Sequence, residues 1–339
     1  MNITDLLFRL TSYNAPSGNE GSALDEIEKI LLPFGSVERT GLGSLICRSG
    51  NVKSGYRILL DAHIDQISMM VTSIKNGFVH VDAVGGIDRR VLLSQPVTIW
   101  GSRPVHGVFA TTPPHVQKNS DEDFPELCDM AIDTGLGRKA ESIINIGDRV
   151  TLRCELQHIK NDRVSGKSLD NRAGVAALIR VMELLNSQVP KAEIIMLLST
   201  REETGEQGAA TACFNIKCSE AIIVDVSFAS QPGLKEHQTG DIGAGPMIGL
   251  SPFVDKRISD RLTRIAKNKS IPHQFEVMGG ATGTNLDSIM SSRDGVPCGL
   301  VSIPLRNMHT AAEIVSVEDI ENAAQLINAY IMQGGLQNV

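Results

Sequence analysis

Four short segments, "YRILLDAHID" (56–65), "EIIMLLS" (193–199), "AIIVDV" (221–226) and "CGLVSIP" (298–304), read as strands that lack the in-out alternation of a half-exposed sheet. Runs of this kind are buried on both faces, as parallel strands are when helices cover the sheet. Helical patterns alternate with them. "NRAGVAALIRVMELL" sets Val175, Leu178, Ile179, Met182 and Leu185 at helical spacing, and "DKRISDRLTRIAKN" and the closing "SVEDIENAAQLINAYIMQ" repeat the pattern. Near the start, "TDLLFRL" is apolar at helical spacing, and Ser17-Gly-Asn-Glu20 has the form of a capping box opening "GSALDEIEKILLPF", which Gly35 ends. The expectation is an α/β fold: a mostly parallel central sheet flanked by helices, of the phosphorylase/hydrolase-like kind.

One stretch breaks the alternation. From 67 to 165, "FVHVDAV", "QPVTIWG", "HGVFAT" and "DRVTLRCELQHI" are β-type runs between Gly, Pro and Asn/Asp turns, without helical period. The expected organisation is therefore a main domain of residues 1–66 and 166–339 with a small β-barrel domain, 67–165, inserted into it.

Composition removes several classes of function. A net charge of −7 without any Lys/Arg cluster gives no electrostatic reason to bind nucleic acid or an anionic membrane. No run of 18 apolar residues offers a membrane span. Six scattered cysteines without a CxxC, and an N-terminus without a signal-peptide pattern, point to a reduced, cytoplasmic setting.

The chemistry-bearing residues fall at strand ends. His63 and Asp65 follow one apolar run, Glu202 and Glu203 a second, Asp225 closes a third, His309 follows the fourth, and Asp170 precedes a helix. Open α/β sheets bind ligands beyond the carboxyl ends of their strands, so these groups can share one crevice. Each has a plainer reading alone: Asp170 as a helix cap, Asp225 as a strand terminator, Glu202-Glu203 as a solvated loop, either His as a packed side chain. Together, two imidazoles and several carboxylates without thiolate suit Zn²⁺, Co²⁺ or Mn²⁺ better than Ca²⁺. A pair of metals about 3.5–4 Å apart with a bridging carboxylate would use the whole set.

The ordered motifs "DAHIDQIS", "GKSLDNRAG", "STREETGEQGA", "IIVDVSFA" and "LRNMHTAAE", with "GGIDRRVLL", "TTPPHV" and "INIGDRV" in the inserted stretch, resemble the M42 metalloaminopeptidases over nearly the whole chain. The resemblance implies an aminopeptidase with two divalent ions per subunit. Asp170 would bridge them, His63 and Asp225 would hold one, and Glu203 and His309 the other. Asp65 would accept the His63 N–H and fix its tautomer, and Glu202 would be the general base for a metal-activated water. It further implies peptide substrates with a free N-terminus and a dimer-based homo-oligomer, up to a dodecamer, assembled through the β domain. Gln66 and Asn285 stand where the family commonly has Glu and Asp, and Ser68 where Gly is frequent.

Two other functions are open to such a chain. An endoglucanase-type glycoside hydrolase needs two carboxylates flanking a sugar bond across roughly 5–10 Å, a poor match for sequence neighbours. One Trp and 4% aromatics also give few sugar platforms. A catalytically silent, metal-bound peptide-binding protein would be expected to lack the base, and Glu202 is present.

Overall fold

The computed structural model describes residues 2–112 and 125–338; His115 of "TTPPHV" lies outside the described residues. Helices α1 (Ile3–Ser12) and α2 (Gly21–Leu31) come first, then strands β1 (Ser36–Arg39), β2 (Leu45–Gly50) and β3 (Arg57–His63). The next six strands are β4 (Ser68–Lys75), β5 (Phe78–Val84), β6 (Pro96–Trp100), β7 (Pro104–Phe109), β8 (Ile132–Asp133) and β9 (Arg149–Leu152). They close into a barrel in the order β4-β5-β8-β7-β6-β9. Strands β10 (Gln157–Ile159) and β11 (Arg163–Gly166) follow, then α3 (Leu169–Leu185), β12 (Glu193–Ser199), α4 (Gln207–Ile216) and β13 (Glu220–Phe228). The chain ends with β14 (Met247–Leu250), α5 (Lys256–Lys269), β15 (Gln274–Val277), α6 (Leu286–Met290), β16 (Cys298–Leu305), β17 (Glu313–Ser316) and α7 (Val317–Met332).

An eight-stranded sheet in the order β1-β2-β12-β3-β13-β16-β14-β15 forms the main layer. It is mixed. The pairs β12·β3, β3·β13, β13·β16 and β14·β15 are parallel, whereas β1·β2, β2·β12 and β14·β16 are antiparallel. The parallel centre holds the four apolar runs, and it is covered on both sides. On β3, Ile58, Leu60 and Ala62 enter the core under α1, α2, α3, α5 and α7, and Leu59 enters a second core under α4 and α6. Among the described residues, no helix is long and apolar enough to cross a membrane.

Two local expectations change. "DRVTLRCELQHI" is not one strand: β9 belongs to the barrel, while β10 joins β11 and β17 in a separate three-stranded sheet. The capping box at Ser17-Glu20 does not form, because both side chains have tertiary partners. The Ser17 hydroxyl donates to Asp65 Oδ2 at 2.6 Å, and Glu20 Oε1 accepts the backbone N–H groups of Gly18 and Arg201.

Candidate metal centre and active site

The parallel strands β12, β3, β13 and β16 run the same way, so their carboxyl ends deliver side chains to one rim. His63 is the last residue of β3, Glu202 and Glu203 lie just past β12, Asp225 is on β13, and His309 is in the turn after β16. Asp170 arrives from the start of α3. The regular part of that helix begins after Asn171, whose Oδ1 accepts the Gly174 N–H at 2.9 Å and whose Nδ2 donates to the Val224 carbonyl. Asn171 therefore does the capping, and the Asp170 carboxylate is left for the crevice.

Around Asp170 the predicted groups converge. His63 Nε2 lies 3.0 Å from Asp170 Oδ1 and 3.7 Å from Asp225 Oδ1. His309 Nε2 lies 3.4 Å from Asp170 Oδ2 and 3.4 Å from Glu203 Oε2. Two trios, His63-Asp170-Asp225 and Asp170-Glu203-His309, thus share Asp170, with donor atoms in each within 4.8 Å of one another. Glu202 Oε2 stands 3.9 Å from His63 Nε2.

Crowding sets the electrostatics. Burial and the neighbouring carboxylates hold Glu203 and Asp225 well above the usual carboxylate range, against the pull of His63. Glu202 is pushed up to about 7, by burial first and then, against His63, by Asp170 and Asp65. Burial works to lower the pKa of His63, but Glu202, Asp170, Asp65 and Asp225 together raise it well above normal. Four acids surround His63, and among the described residues lining the cavity there is no Lys or Arg, so acidic groups outnumber the cationic ones. Such a cluster could hold metal cations, and an N/O donor set without thiolate fits divalent ones.

Two buried carboxylates brace this cluster. Asp65 accepts the backbone N–H groups of Glu202 and Glu203 at 3.0 and 3.2 Å, besides the Ser17 hydroxyl. The hydrogen bond from His63 Nδ1 goes to the Asp65 main-chain carbonyl at 3.1 Å, with the carboxylate Oδ1 at 3.5 Å. Glu313 is the counterpart on the other side, accepting the backbone N–H of Asp170 at 3.1 Å and of His309 at 3.0 Å. Glu313 closes the motif "LRNMHTAAE", but an acid at the mouth of β17 carries no local signal of its distant partners.

The remaining histidines separate clearly. His237 lines the same cavity as the cluster. His158 stacks near Phe8, His106 lies by Thr98, His273 bonds the Ile271 carbonyl, and His80 is in barrel strand β5. Gly279 lines the cavity, while Arg306 donates to the Ser230 carbonyl. Gln66 is turned to the N-terminal segment, its backbone N–H donating to the Ala15 carbonyl.

Residues 43–326 match the family model described as M42 glutamyl aminopeptidase. The chain belongs to the M42 family. It is 32% identical over 331 residues to an aminopeptidase-type protein of Acetivibrio thermocellus, covering 95% of this chain and 96% of that protein. The TET aminopeptidase of a marine-sediment Thaumarchaeota archaeon superimposes with a TM-score of 0.93 at 28% identity, covering 98% of this chain and 97% of that one. The Pyrococcus horikoshii TET1 peptidase, which can assemble into a tetrahedron or a large octahedral shell, superimposes with a TM-score of 0.86 at 25% identity, covering 98% and 99%. This M42 protein is a metallo-exopeptidase of the aminopeptidase class.

Proposed function

We propose that the protein removes the N-terminal residue from peptides using two divalent metal ions per subunit, with Glu202 as general base. The observation that carries this reading is the sharing of Asp170 between two donor trios, His63 with Asp225 and Glu203 with His309. Zn²⁺ and Co²⁺ suit these ligands best, and Mn²⁺ is compatible. When bound, such ions would lower the pKa of the attacking water and polarise the scissile carbonyl.

The protein's own groups do the rest. Asp170, His63, Asp225, Glu203 and His309 are the ligands in this reading. Glu202, beside the cluster without belonging to either Asp170 trio, takes a proton from the attacking water and returns it to the leaving amine. Asp65 fixes His63 and the main chain of Glu202 and Glu203, so the base and its neighbouring ligand keep separate orientations. The free α-amino group of the substrate binds within the acidic cluster, which limits cleavage to one residue at a time.

In the same reading, residues 1–66 and 166–339 are the catalytic domain, and 67–165 serve assembly of a dimer-based homo-oligomer. The TET1 relative's shells support this. A cytoplasmic setting fits six free cysteines.

The test is an aminoacyl-anilide panel assayed after metal removal and after re-addition of Zn²⁺, Co²⁺ or Mn²⁺. Activity should vanish with the metal and return with it. Glu202→Gln should still bind two ions yet lose about 10²–10⁴-fold in kcat. Native turnover by that variant would overturn the assignment of the base, and turnover by metal-free enzyme would overturn the whole reading.

A further inference from the structure

The cavity that contains the metal cluster, about 670 Å³ in volume, extends away from it along the sheet toward β15. Its far part holds one acid that the proposed chemistry does not use. Glu276 is on β15, the edge strand, and side chains alternate across a sheet, so Glu276 faces the opposite way from Phe275 and Val277. Its carboxylate reaches back over the sheet, accepting the hydroxyl of Ser227 and, at 2.6 Å, that of Ser302. Both serines adjoin Asp225. Ser302 is its register partner on β16, one strand spacing of about 4.8 Å away, and Ser227 lies two residues further along β13, about 7 Å. The Glu276 carboxylate is thus anchored within the reach of a long side chain from the metal cluster.

What surrounds it defines a ligand. Met247, Met278 and Phe228 line the same cavity and offer apolar walls. Among the described residues, no Lys or Arg lines the cavity, and the partners of the Glu276 carboxylate are the two neutral serine hydroxyls. An acidic side chain entering here would meet Glu276 without a counter-charge. An aliphatic stem ending in a cation would pack along the methionines and pair with the carboxylate.

We infer that Glu276 is the specificity determinant of this active site and selects peptides whose N-terminal residue is lysine or arginine. The inference rests on the aminopeptidase reading above. The two serine hydroxyls occupy lone pairs of the carboxylate and hold it in place, which leaves its remaining lone pairs for the incoming ammonium or guanidinium.

The experiment uses full-length, metal-loaded enzyme with Lys-, Arg-, Leu- and Glu-p-nitroanilides. Wild type should show the highest kcat/KM on Lys and Arg and the lowest on Glu. Glu276→Gln, which keeps the size and one acceptor oxygen, should lose about 10–100-fold on Lys and Arg while Leu changes less than about threefold. Glu276→Lys should improve Glu relative to Lys. An equal fall on all four substrates in Glu276→Gln would overturn the inference, because a merely structural role predicts it. A wild-type preference for Leu or Glu over Lys would overturn it too, with the aminopeptidase reading intact. Absence of hydrolysis of any of the four by metal-loaded wild type would instead fail the underlying reading.

Discussion

Asp65 Oδ1 accepts the backbone N–H of Glu202 at 3.0 Å, so the residue proposed as base is positioned by an acid buried in the strand-end loop after β3. The other oxygen of Asp65 serves Glu203 and Ser17, and the main-chain carbonyl serves His63. A single residue therefore orients parts of both donor trios and the proposed base.

Substitution of Asp65 by Asn keeps the shape but replaces one acceptor oxygen by a donor. The Ser17 hydroxyl or the backbone N–H groups of Glu202 and Glu203 then lose an acceptor. Metal affinity should fall about 10–100-fold, the usual effect of removing a group that orients ligands. Competition with a chromophoric chelator would measure it, with circular dichroism confirming the fold. Wild-type affinity in Asp65→Asn would show that these hydrogen bonds do not hold the ligands.

Lys167 gives a pH dependence that is independent of metal binding. Its ammonium donates to the Thr11 carbonyl and to Asn14 Oδ1 at the junction of α1 with β11 and α3. Burial, then the nearby positive charge of Arg172, lower its pKa from 10.5 to about 7. Between pH 7 and 10.5 the unfolded chain holds a proton that the folded one has released. Stability from this group accordingly rises with pH across that window, by up to about 1.4 kcal/mol per pH unit. In Lys167→Met that rise should be missing, so the stability of wild type relative to the variant climbs between pH 7 and 10. Urea unfolding at a series of pH values would read it, and a constant difference would contradict the assignment.

The parts of this protein legible in its sequence are those whose physics is local. β3, β12, β13 and β16 declare themselves because both faces are buried, and the proposed ligand residues stand out because charge has no packing reason to follow such strands. β1 and β15 do not: each has four residues, polar or exposed at most positions, and owes its place to a neighbour. The same holds at the site. Ser17 is 48 residues from Asp65, and the Glu313 carboxylate reaches Asp170 across 143 residues, so neither contact leaves a pattern in either segment. Ser17 followed by Glu20 even matched a local motif, and tertiary partners took both side chains from it.

Asn285 is the place where a departure from the family pattern acquires a physical account. Its Nδ2 donates to Asp61 Oδ2 and to Ser199 Oγ, both at 2.8 Å, and all three residues are fully or almost fully buried. Asp61 is in the middle of β3, two residues before His63, and Ser199 is the register partner of His63, so the amide ties β3 to β12 directly beneath the candidate metal cluster. Burial pushes the Asp61 carboxyl up to about 7, against the amide and hydroxyl donors. An aspartate at 285 would set a second carboxyl against the first, and the two could coexist only by sharing a proton. Between the unfolded carboxyl pKa and pH 7 wild-type Asp61 keeps one proton, as the variant pair does, so both proteins release one proton on unfolding and the stability gap, set by the cost of burying the second carboxyl, should not change with pH there. Above pH 7 wild type ionises with the amide as donor, while the variant must retain its shared proton, which the unfolded chain lacks. Its stability should therefore keep falling as pH rises, the gap widening by up to about 1.4 kcal/mol per pH unit. Asn285→Ala should be destabilised at neutral and alkaline pH alike, by about 1–3 kcal/mol, because it leaves the carboxylate without its amide donor. Chemical denaturation of the three proteins at pH 6 and pH 9 separates the cases: a gap between Asn285→Asp and wild type that is the same at both would mean that position 285 does not govern the protonation of Asp61.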